Sequence, residues 1–154
     1  MTMQPRLNFY GAAPELMQAV SALSKASHGS GLEASLIHLI EIRASQINGC
    51  TYCLEMHTRE ARADGESQQR LDLVAAWQES PLFSERERAA LAWTEAVTRL
   101  ADGTVDDALF EATRKHFSEA DLTKLTVAIA TINVWNRLCN PFRAIHPVAK
   151  DKAA

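Results

Sequence analysis

Two cysteines and a histidine stand close together near residue 50, with a spacing that suits thiol chemistry. Cys50 and Cys53 are three positions apart, and His57 follows four residues after Cys53. If the chain is helical from Thr51 onward, residues three, four and seven apart lie close to one face of that helix. The sequence therefore predicts a dithiol with an imidazole one helical turn away.

The pair Asn48–Gly49, directly before Cys50, predicts a break between two helices. Both thiols then lie near a helix N-terminus, where unpaired N–H groups and the helix dipole favour an anion. In such a setting the pKa of a cysteine falls from about 8.5 toward roughly 3.5–7.5. The stretch therefore predicts a dithiol with a built-in base.

The position of His57 suggests how the two thiols divide their roles. A neutral imidazole can take the proton of Cys53, and an imidazolium can hold the thiolate. Cys53 is accordingly the predicted nucleophile, and Cys50 is the predicted resolving thiol that meets an outside dithiol. On the preceding helix, His38 and Glu41 are three residues apart. They are expected either to face the dithiol as a proton relay or to form an ordinary solvated or core pair.

A CxxC sequence can also bind zinc or attach haem. A structural zinc site needs four ligands; His38 could be a third, but no second CxxC and no HxxxH pair supplies the rest. Haem attachment requires CxxCH, whereas Leu54 follows Cys53. A redox dithiol is therefore favoured over a metal site or two inert buried cysteines, and no metal or cofactor is predicted. Cys139 is expected to be a buried spectator, and surface positions are expected for the remaining histidines, His28, His116 and His146.

Composition limits the class of protein. The 154 residues have the size of one domain, and residues 1–154 are predicted to form one. The net charge is −3 and no basic patch stands out, so nucleic acid is not an expected partner. Because no apolar run could span a bilayer and no leader is recognisable, a soluble cytoplasmic protein is expected, with no membrane partner. In a reducing compartment a CxxC indicates redox or metal chemistry.

The hydrophobic pattern predicts an all-α fold. Apolar residues recur with a period near 3.6, and no stretch alternates as a strand does, so about seven helices joined by short loops are expected. Residues 1–13 are predicted to be irregular, and 27–31 to be a loop. The predicted helices span 14–23, 32–47, 51–64, 68–77, 84–103, 104–116 and 118–138. Two of them, 32–47 and 122–138, are apolar over more than one face, which predicts an oligomer.

Three segments resemble one known family. They are RASQINGCTYCLEMH at 43–57, SERERAALAWTE at 84–95 and INVWNR at 132–137. Together they are similar to the alkylhydroperoxidase AhpD-like branch of the carboxymuconolactone decarboxylase family. The resemblance implies an all-α domain that assembles as a homo-oligomer, usually a trimer or hexamer. It also implies the reduction of organic hydroperoxides by a cysteine pair.

The resemblance also implies residue roles. Cys53 attacks the peroxide and becomes a sulfenic acid, Cys50 closes the disulfide, and His57 serves in the proton relay. A dithiol donor, such as a lipoylated or thioredoxin-like protein, then regenerates both thiols. Family members usually carry a glutamate twelve residues before the first cysteine, and here that position is His38. We therefore expect a relay rewired through His38, substitution by Glu41, or weak peroxidase activity.

Two further functions are open from the sequence. One is a redox-sensing stress-response protein whose disulfide changes its assembly or its partners with little turnover. The other is a carboxymuconolactone decarboxylase-like enzyme. The decarboxylase members that this chain resembles in fold lack the cysteine pair, so hydroperoxide reduction is the favoured activity.

Overall fold

The computed structural model describes residues 3–148, so residues 1–2 and 149–154 of the predicted domain lie outside it. Within this range the chain forms eight α-helices and two short 3-10 helices, and no strand, which confirms the all-α prediction. The α-helices are α1 (Phe9–Ala12), α2 (Pro14–His28), α3 (Ala34–Ile47), α4 (Thr51–Ala63), α5 (Gln68–Leu73), α6 (Glu85–Thr98), α7 (Asp107–Arg114) and α8 (Glu119–Cys139). The 3-10 helices are Val74–Glu79 and Leu100–Asp102.

The reversal between α3 and α4 positions the cysteine pair. Gly49 has a φ of 62°, in the left-handed region where a residue without a Cβ is favoured. Cys50 follows as the N-cap of α4 in an extended conformation. The predicted break at Asn48–Gly49 is thereby confirmed, and it brings the start of α4 back alongside the end of α3.

Helix starts follow the sequence signals more closely than helix ends do. Pro14 occupies the first turn of α2, and Ser84 and Glu87 form a complete capping box at α6. The predicted ends were less accurate, because α2 continues to His28 through part of the predicted loop. The short helix α1 also lies in the segment predicted to be irregular, where the Asn8 side chain accepts a hydrogen bond from the Gly11 N–H.

The predicted helix 68–77 divides into α5 and a 3-10 helix. Ala76 leaves the helical region, with φ −121° and ψ 33°. The guanidinium of Arg88 donates to the carbonyl groups of Trp77 and Ser80, both at 3.0 Å, and to that of Gln78 at 2.8 Å. These carbonyl groups are satisfied by α6 rather than by a continuing helix, so the helical segment ends without loss of hydrogen bonds.

Helix α3 forms the centre of the fold. It packs against α4, α6 and α8, and Leu39, Ile40 and Ile42 on it are fully buried. Its apolar character on several faces is therefore explained within one chain. On α8, by contrast, Val127 and Val134 stay 38% and 37% exposed. The oligomer stays a prediction, and α8 is the helix that still supports it.

A polar contact fixes α3 against α6 in this otherwise apolar centre. Arg43 Nε and Trp77 Nε1 both donate to Glu95 Oε1 at 2.8 Å.

No helix among residues 3–148 is long and apolar enough to cross a membrane.

Candidate active site

The two cysteines of the CxxC sequence lie against each other at the start of α4. Their Sγ atoms are 2.6 Å apart, and each residue is 1% exposed. As the N-cap residue, Cys50 presents Sγ to the backbone N–H of Cys53, which donates to it at 3.4 Å. Cys50 therefore takes the position that an oxygen-bearing cap usually holds, where a negative charge is favoured.

Cys139, at the end of α8, completes a cluster of three sulfur atoms. The Sγ atoms of Cys50, Cys53 and Cys139 all lie within 4.8 Å of one another, and all three residues are buried. The expected burial of Cys139 is correct. The fold also brings the end of α8 to the start of α4, so Cys139 contacts the CxxC pair although no other cysteine is near it in sequence.

Three asparagines on α8 and at its end hold the two cysteine-bearing segments together. Asn48 Nδ2 donates to Asn133 Oδ1 at 3.0 Å and to Asn136 Oδ1 at 2.8 Å. Asn140 Nδ2 donates to the carbonyl groups of Asn48 and Gly49, at 3.0 and 3.2 Å. The turn that carries Cys50 is thus bound to α8 through both its side chain and its backbone.

The negative charge of the reduced cluster resides on Cys50. Hydrogen bonds from the thiols of Cys139 and Cys53, with the N–H of Cys53, lower the pKa of Cys50 to about 3 despite its burial. Contacts with Cys139 and Cys50, together with burial, raise the pKa of Cys53 above its ordinary value. The contact with Cys50, followed by burial, raises the pKa of Cys139 to about 12, although the contact with Cys53 lowers it. Before any reaction, Cys53 is therefore a thiol beside the Cys50 thiolate.

A buried ion pair stands next to the thiols. His57 Nδ1 is 3.0 Å from Glu41 Oε2, and His28 Nε2 donates to Glu41 Oε1 at 2.6 Å. Burial raises the pKa of Glu41, but the two imidazoles outweigh it and set that pKa at about 2. Burial also disfavours a charged His57, yet the adjacent carboxylates of Glu41 and Glu60 raise the pKa of His57 to about 9. At neutral pH His57 is thus an imidazolium, able to donate a proton.

His38 lies apart from this pair. Its Nε2 is 2.7 Å from Asp64 Oδ2, at the far end of α4. His38 lines neither of the two cavities that reach the cysteines. The structure therefore brings Glu41, and not His38, to His57. The sequence alone could not decide between them, because both face α4 from successive turns of α3.

Two cavities reach the sulfur cluster from different sides. The first, of about 520 Å³, has Cys53, His57 and Glu41 in its wall but not Cys50. The second, of about 550 Å³, has Cys50 in its wall but not Cys53. Cys139 borders both. The first cavity also presents an aromatic wall, formed by Phe9, Tyr10, Tyr52 and Trp135.

The arrangement has a definite chemical capacity. A thiol and a proton-donating imidazolium border one cavity that can admit an apolar molecule, and a thiolate lies in contact with that thiol from behind. The three sulfur atoms are also a set that a soft metal ion could use, whereas the predicted third zinc ligand His38 is bound to Asp64 instead. Among residues 3–148 this cysteine set is the one group of three or more possible ligands that lies close enough to share an ion.

Some site residues were not identified from the sequence. His28 was expected only at the surface; it is half-exposed, yet it binds Glu41 and borders the first cavity. The asparagines of α8 could have been found, because Asn133, Asn136 and Asn140 recur at helical spacing in an otherwise apolar stretch. Glu60, which is 3.6 Å from His57, could also have been found, because it follows His57 by one turn of α4.

Comparison with known proteins agrees with this geometry. The model of the carboxymuconolactone decarboxylase family matches residues 14–96, more than half of the chain. The chain belongs to the carboxymuconolactone decarboxylase family. The match covers α2 to α6, and so includes the cysteine pair, Glu41 and His57, as the sequence resemblance indicated.

Individual proteins similar to this chain extend the comparison. The uncharacterised protein YdfG of Bacillus subtilis (strain 168) is 38% identical over 136 residues, covering 88% of this chain and 92% of YdfG. A crystal structure of a protein of unknown function from Agrobacterium tumefaciens, provisionally assigned as the antioxidant defence protein AhpD, is 48% identical. It superposes with a TM-score of 0.92, covering 95% of this chain and all of that one.

A more distant structure shares the fold. It is a peroxidase-related protein with an alkylhydroperoxidase AhpD core from Ralstonia eutropha JMP134, 24% identical with a TM-score of 0.79. The superposition covers 90% of this chain and 74% of that one. The helical architecture is therefore AhpD-like.

Proposed function

We propose that this protein is a thiol-dependent peroxidase that reduces organic hydroperoxides to alcohols. The observation that carries the proposal is the first cavity, whose wall holds Cys53 and His57 while Cys50 lies behind Cys53 at 2.6 Å. A substrate in this cavity meets one thiol and one proton donor, with the resolving sulfur already in place. Membership of a family with AhpD-like members supports the same activity.

The first step requires that Cys53 lose its proton. The Cys50 thiolate, 2.6 Å away, is the adjacent acceptor. It takes the proton as Cys53 attacks, because the low pKa of Cys50 and the raised pKa of Cys53 oppose transfer beforehand. The Cys53 sulfur bonds to the terminal peroxide oxygen and the O–O bond breaks. His57 donates its proton to the departing alkoxide, which leaves as the alcohol, and Cys53 becomes a sulfenic acid.

The second step closes a disulfide. Cys50 loses its proton and attacks the sulfur of the Cys53 sulfenic acid. Hydroxide leaves, takes that proton and becomes water, while Cys50 and Cys53 are joined. In sum, the Cys53 thiol, the Cys50 thiolate, the proton of His57 and one hydroperoxide give one disulfide, one alcohol and one water, and His57 is left neutral. No helix has to move, because the two sulfur atoms are already in contact.

A dithiol reductant restores the pair by thiol–disulfide exchange, with a lipoylated or thioredoxin-like protein as the proposed class. The proposed setting is the cytoplasm, where thiols are kept reduced. We further propose a homo-oligomer, a trimer or hexamer, with the exposed Val127 and Val134 of α8 contributing to its contacts.

The test is hydroperoxide turnover with dihydrolipoamide as reductant in cysteine variants. Cys53→Ser should abolish turnover. Cys50→Ser lacks both the proton acceptor and the resolving sulfur, so it should react slowly and stop after at most one equivalent, with dimedone labelling any sulfenic acid at Cys53. Arg59→Ala, at an exposed position of the same helix, serves as the control and should keep wild-type turnover. Full turnover by Cys53→Ser would overturn the proposal.

A further inference from the structure

We propose that Cys139 is a third redox-active thiol. Its sulfur attacks Cys50 in the Cys50–Cys53 disulfide, so that Cys139 replaces Cys53 as the partner of Cys50. The disulfide bond thereby moves from Cys53, which borders the first cavity, to Cys139, which borders both cavities. The inference rests on the proposed peroxidase function for its biological use. The exchange itself is a property of the three sulfur atoms, and it can be tested separately.

The first support is proximity combined with a fixed geometry. The Sγ atom of Cys139 lies within 4.8 Å of those of Cys50 and Cys53. Thiol–disulfide exchange between neighbouring sulfur atoms needs no other reacting group. The neighbouring residue Asn140 donates two hydrogen bonds to the turn before Cys50. The carbonyl of Cys139 itself accepts from the N–H of Ala144 at 2.8 Å, which fixes the chain beyond α8.

The second support is the position of Cys139 between the two cavities. Cys53 borders only the first cavity and Cys50 only the second, whereas Cys139 borders both. A disulfide between Cys50 and Cys139 therefore has both sulfur atoms at the second cavity, and Cys53 is left free at the first. The site of peroxide attack and the site of reduction are then separated within one cluster.

The exchange step balances without any other reactant. The Cys139 thiol loses its proton, and its thiolate attacks the Cys50 sulfur of the Cys50–Cys53 disulfide. The bond from Cys50 to Cys53 breaks, the bond from Cys50 to Cys139 forms, and Cys53 leaves as a thiolate that takes the proton. One disulfide and one thiol are present before and after, so no oxidant or reductant is consumed.

Oxidation of the pair also favours the attack. In the reduced protein the contact with the charged Cys50 is the largest cause that raises the pKa of Cys139 to about 12. Once Cys50 is in a disulfide it carries no charge, and this cause disappears. Burial still raises the pKa of Cys139, but the thiolate forms more readily once the first peroxide has reacted.

Exchange has a measurable consequence for stoichiometry. With Cys53 restored as a thiol, a second peroxide molecule can oxidise it before any reductant arrives. The wild-type protein should then take up two equivalents of hydroperoxide, ending with a Cys50–Cys139 disulfide and a sulfenic acid at Cys53. Without Cys139, uptake should stop at one equivalent.

The positions of arginine in the chain make the disulfides easy to distinguish. Trypsin places Cys50 and Cys53 in one peptide, 44–59, and Cys139 in another, 138–143. A Cys50–Cys53 disulfide therefore stays within one peptide, whereas a bond to Cys139 joins two. Fragmentation of the joined peptides shows which of Cys50 and Cys53 is bonded.

The experiment oxidises the reduced protein anaerobically with one equivalent of diamide, which needs no peroxidase activity, and in parallel with one and two equivalents of cumene hydroperoxide. Samples are quenched in acid over time, alkylated, digested and weighed. We expect the joined peptides to accumulate as the internal disulfide declines, with Cys53 alkylated. After two equivalents of hydroperoxide, dimedone should label Cys53. Cys139→Ser should yield only the internal disulfide and take up one equivalent.

Each outcome decides one of the two proposals. If cumene hydroperoxide oxidises the pair but Cys139 stays a thiol with both oxidants, the relay is overturned and the peroxidase stands. If diamide produces the joined peptides but hydroperoxide oxidises no thiol, the exchange stands and the peroxidase function is overturned. Stoichiometric zinc or copper bound by all three cysteines of the purified protein would also overturn the relay. Cys53→Ser, which should join Cys50 directly to Cys139 with diamide, keeps the test valid if Cys139→Ser does not fold.

Discussion

Glu41 and His57 form an ion pair in the interior, with Oε2 and Nδ1 3.0 Å apart, and both side chains are less than a tenth exposed. The carboxylate holds the imidazole in its protonated form, since the pKa of His57 is about 9 and that of Glu41 about 2. In the proposed mechanism this proton is the one delivered to the departing alkoxide. The pair therefore connects the fold of α3 and α4 directly to the pH range of activity.

Replacing Glu41 should shift the alkaline limit of activity. In the wild-type protein kcat/KM should fall as the pH rises through about 9, where His57 loses its proton. In Glu41→Gln the main cause of that raised pKa is absent, so the fall should begin at lower pH. At pH 8 the rate should drop ~10-fold or more, since general acid catalysis contributes 10²–10⁴-fold.

Glu60→Gln is the matched control for this experiment. Glu60 is 3.6 Å from His57, but its side chain is 43% exposed, and solvent screens its charge. Its pH profile should move less than that of Glu41→Gln. Identical alkaline limits in wild type and Glu41→Gln would show that His57 is not the proton donor.

The same ion pair should give stability a pH dependence of known sign. The folded-state pKa of His57 lies above its ordinary 6.5, so the stabilisation is complete below pH 6.5 and is lost as the pH rises through about 9. The folded-state pKa of Glu41 lies below 4.5, so its share is present above pH 4.5 and is lost as the pH falls toward 2.

Urea unfolding at pH 6 and pH 9.5 measures this loss. The free energy of unfolding should decrease by on the order of 2–3 kcal/mol between the two pH values, because each pKa unit corresponds to about 1.4 kcal/mol. In Glu41→Gln most of that decrease should be absent. An equally steep pH dependence in the variant would assign the loss to other groups.

His38 should be dispensable for chemistry. It is bound to Asp64 at 2.7 Å and lies outside the first cavity, although it occupies the position of the usual family glutamate. His38→Gln should therefore keep the wild-type kcat/KM and its alkaline limit. Asp64→Asn, which removes the other partner of the same contact, should behave alike. A loss of activity in His38→Gln that Asp64→Asn does not share would restore His38 to the proton relay.

The residues that the sequence located correctly are those governed by local rules. Cys50, Cys53 and His57 follow from helical spacing, and the break at Asn48–Gly49 follows from backbone preferences. Whether Glu41 or His38 lies beside His57 depends on which turn of α3 meets α4 at that point along its length, and no local rule determines this packing. Cys139 was missed for the same reason, because its contact with the pair exists only once α8 packs beside α4.

The charge distribution in the cysteine pair was also outside the reach of local rules. The N-cap position of Cys50 could be predicted from the Asn48–Gly49 break, and this position favours a thiolate. The spacing of His57, one turn beyond Cys53, nevertheless predicted Cys53 as the nucleophile. The contact with Cys139, which contributes most to the low pKa of Cys50, could not be anticipated without the fold.

Two glycines with left-handed backbones allow the role of the turn before Cys50 to be separated from general strain. Gly49 has a φ of 62° and Gly65 a φ of 95°. An added Cβ would meet only Asn140 Nδ2, at 4.0 Å, at Gly49, and nothing within 4 Å at Gly65. Alanine at either position should therefore cost ~1–2 kcal/mol of stability through the backbone conformation, with no steric clash.

The two variants should differ in thiol chemistry. Gly49 joins α3 to the cap residue Cys50, and its carbonyl accepts from Asn140, whereas Gly65 ends α4 at the opposite end from the cysteines. Gly49→Ala should slow oxidation of the pair by hydroperoxide, measured as the rate of thiol loss, while Gly65→Ala should leave it unchanged at equal stability. Equal rates in both variants would mean that the cluster keeps its geometry without this turn, and that α8 alone positions the sulfur atoms.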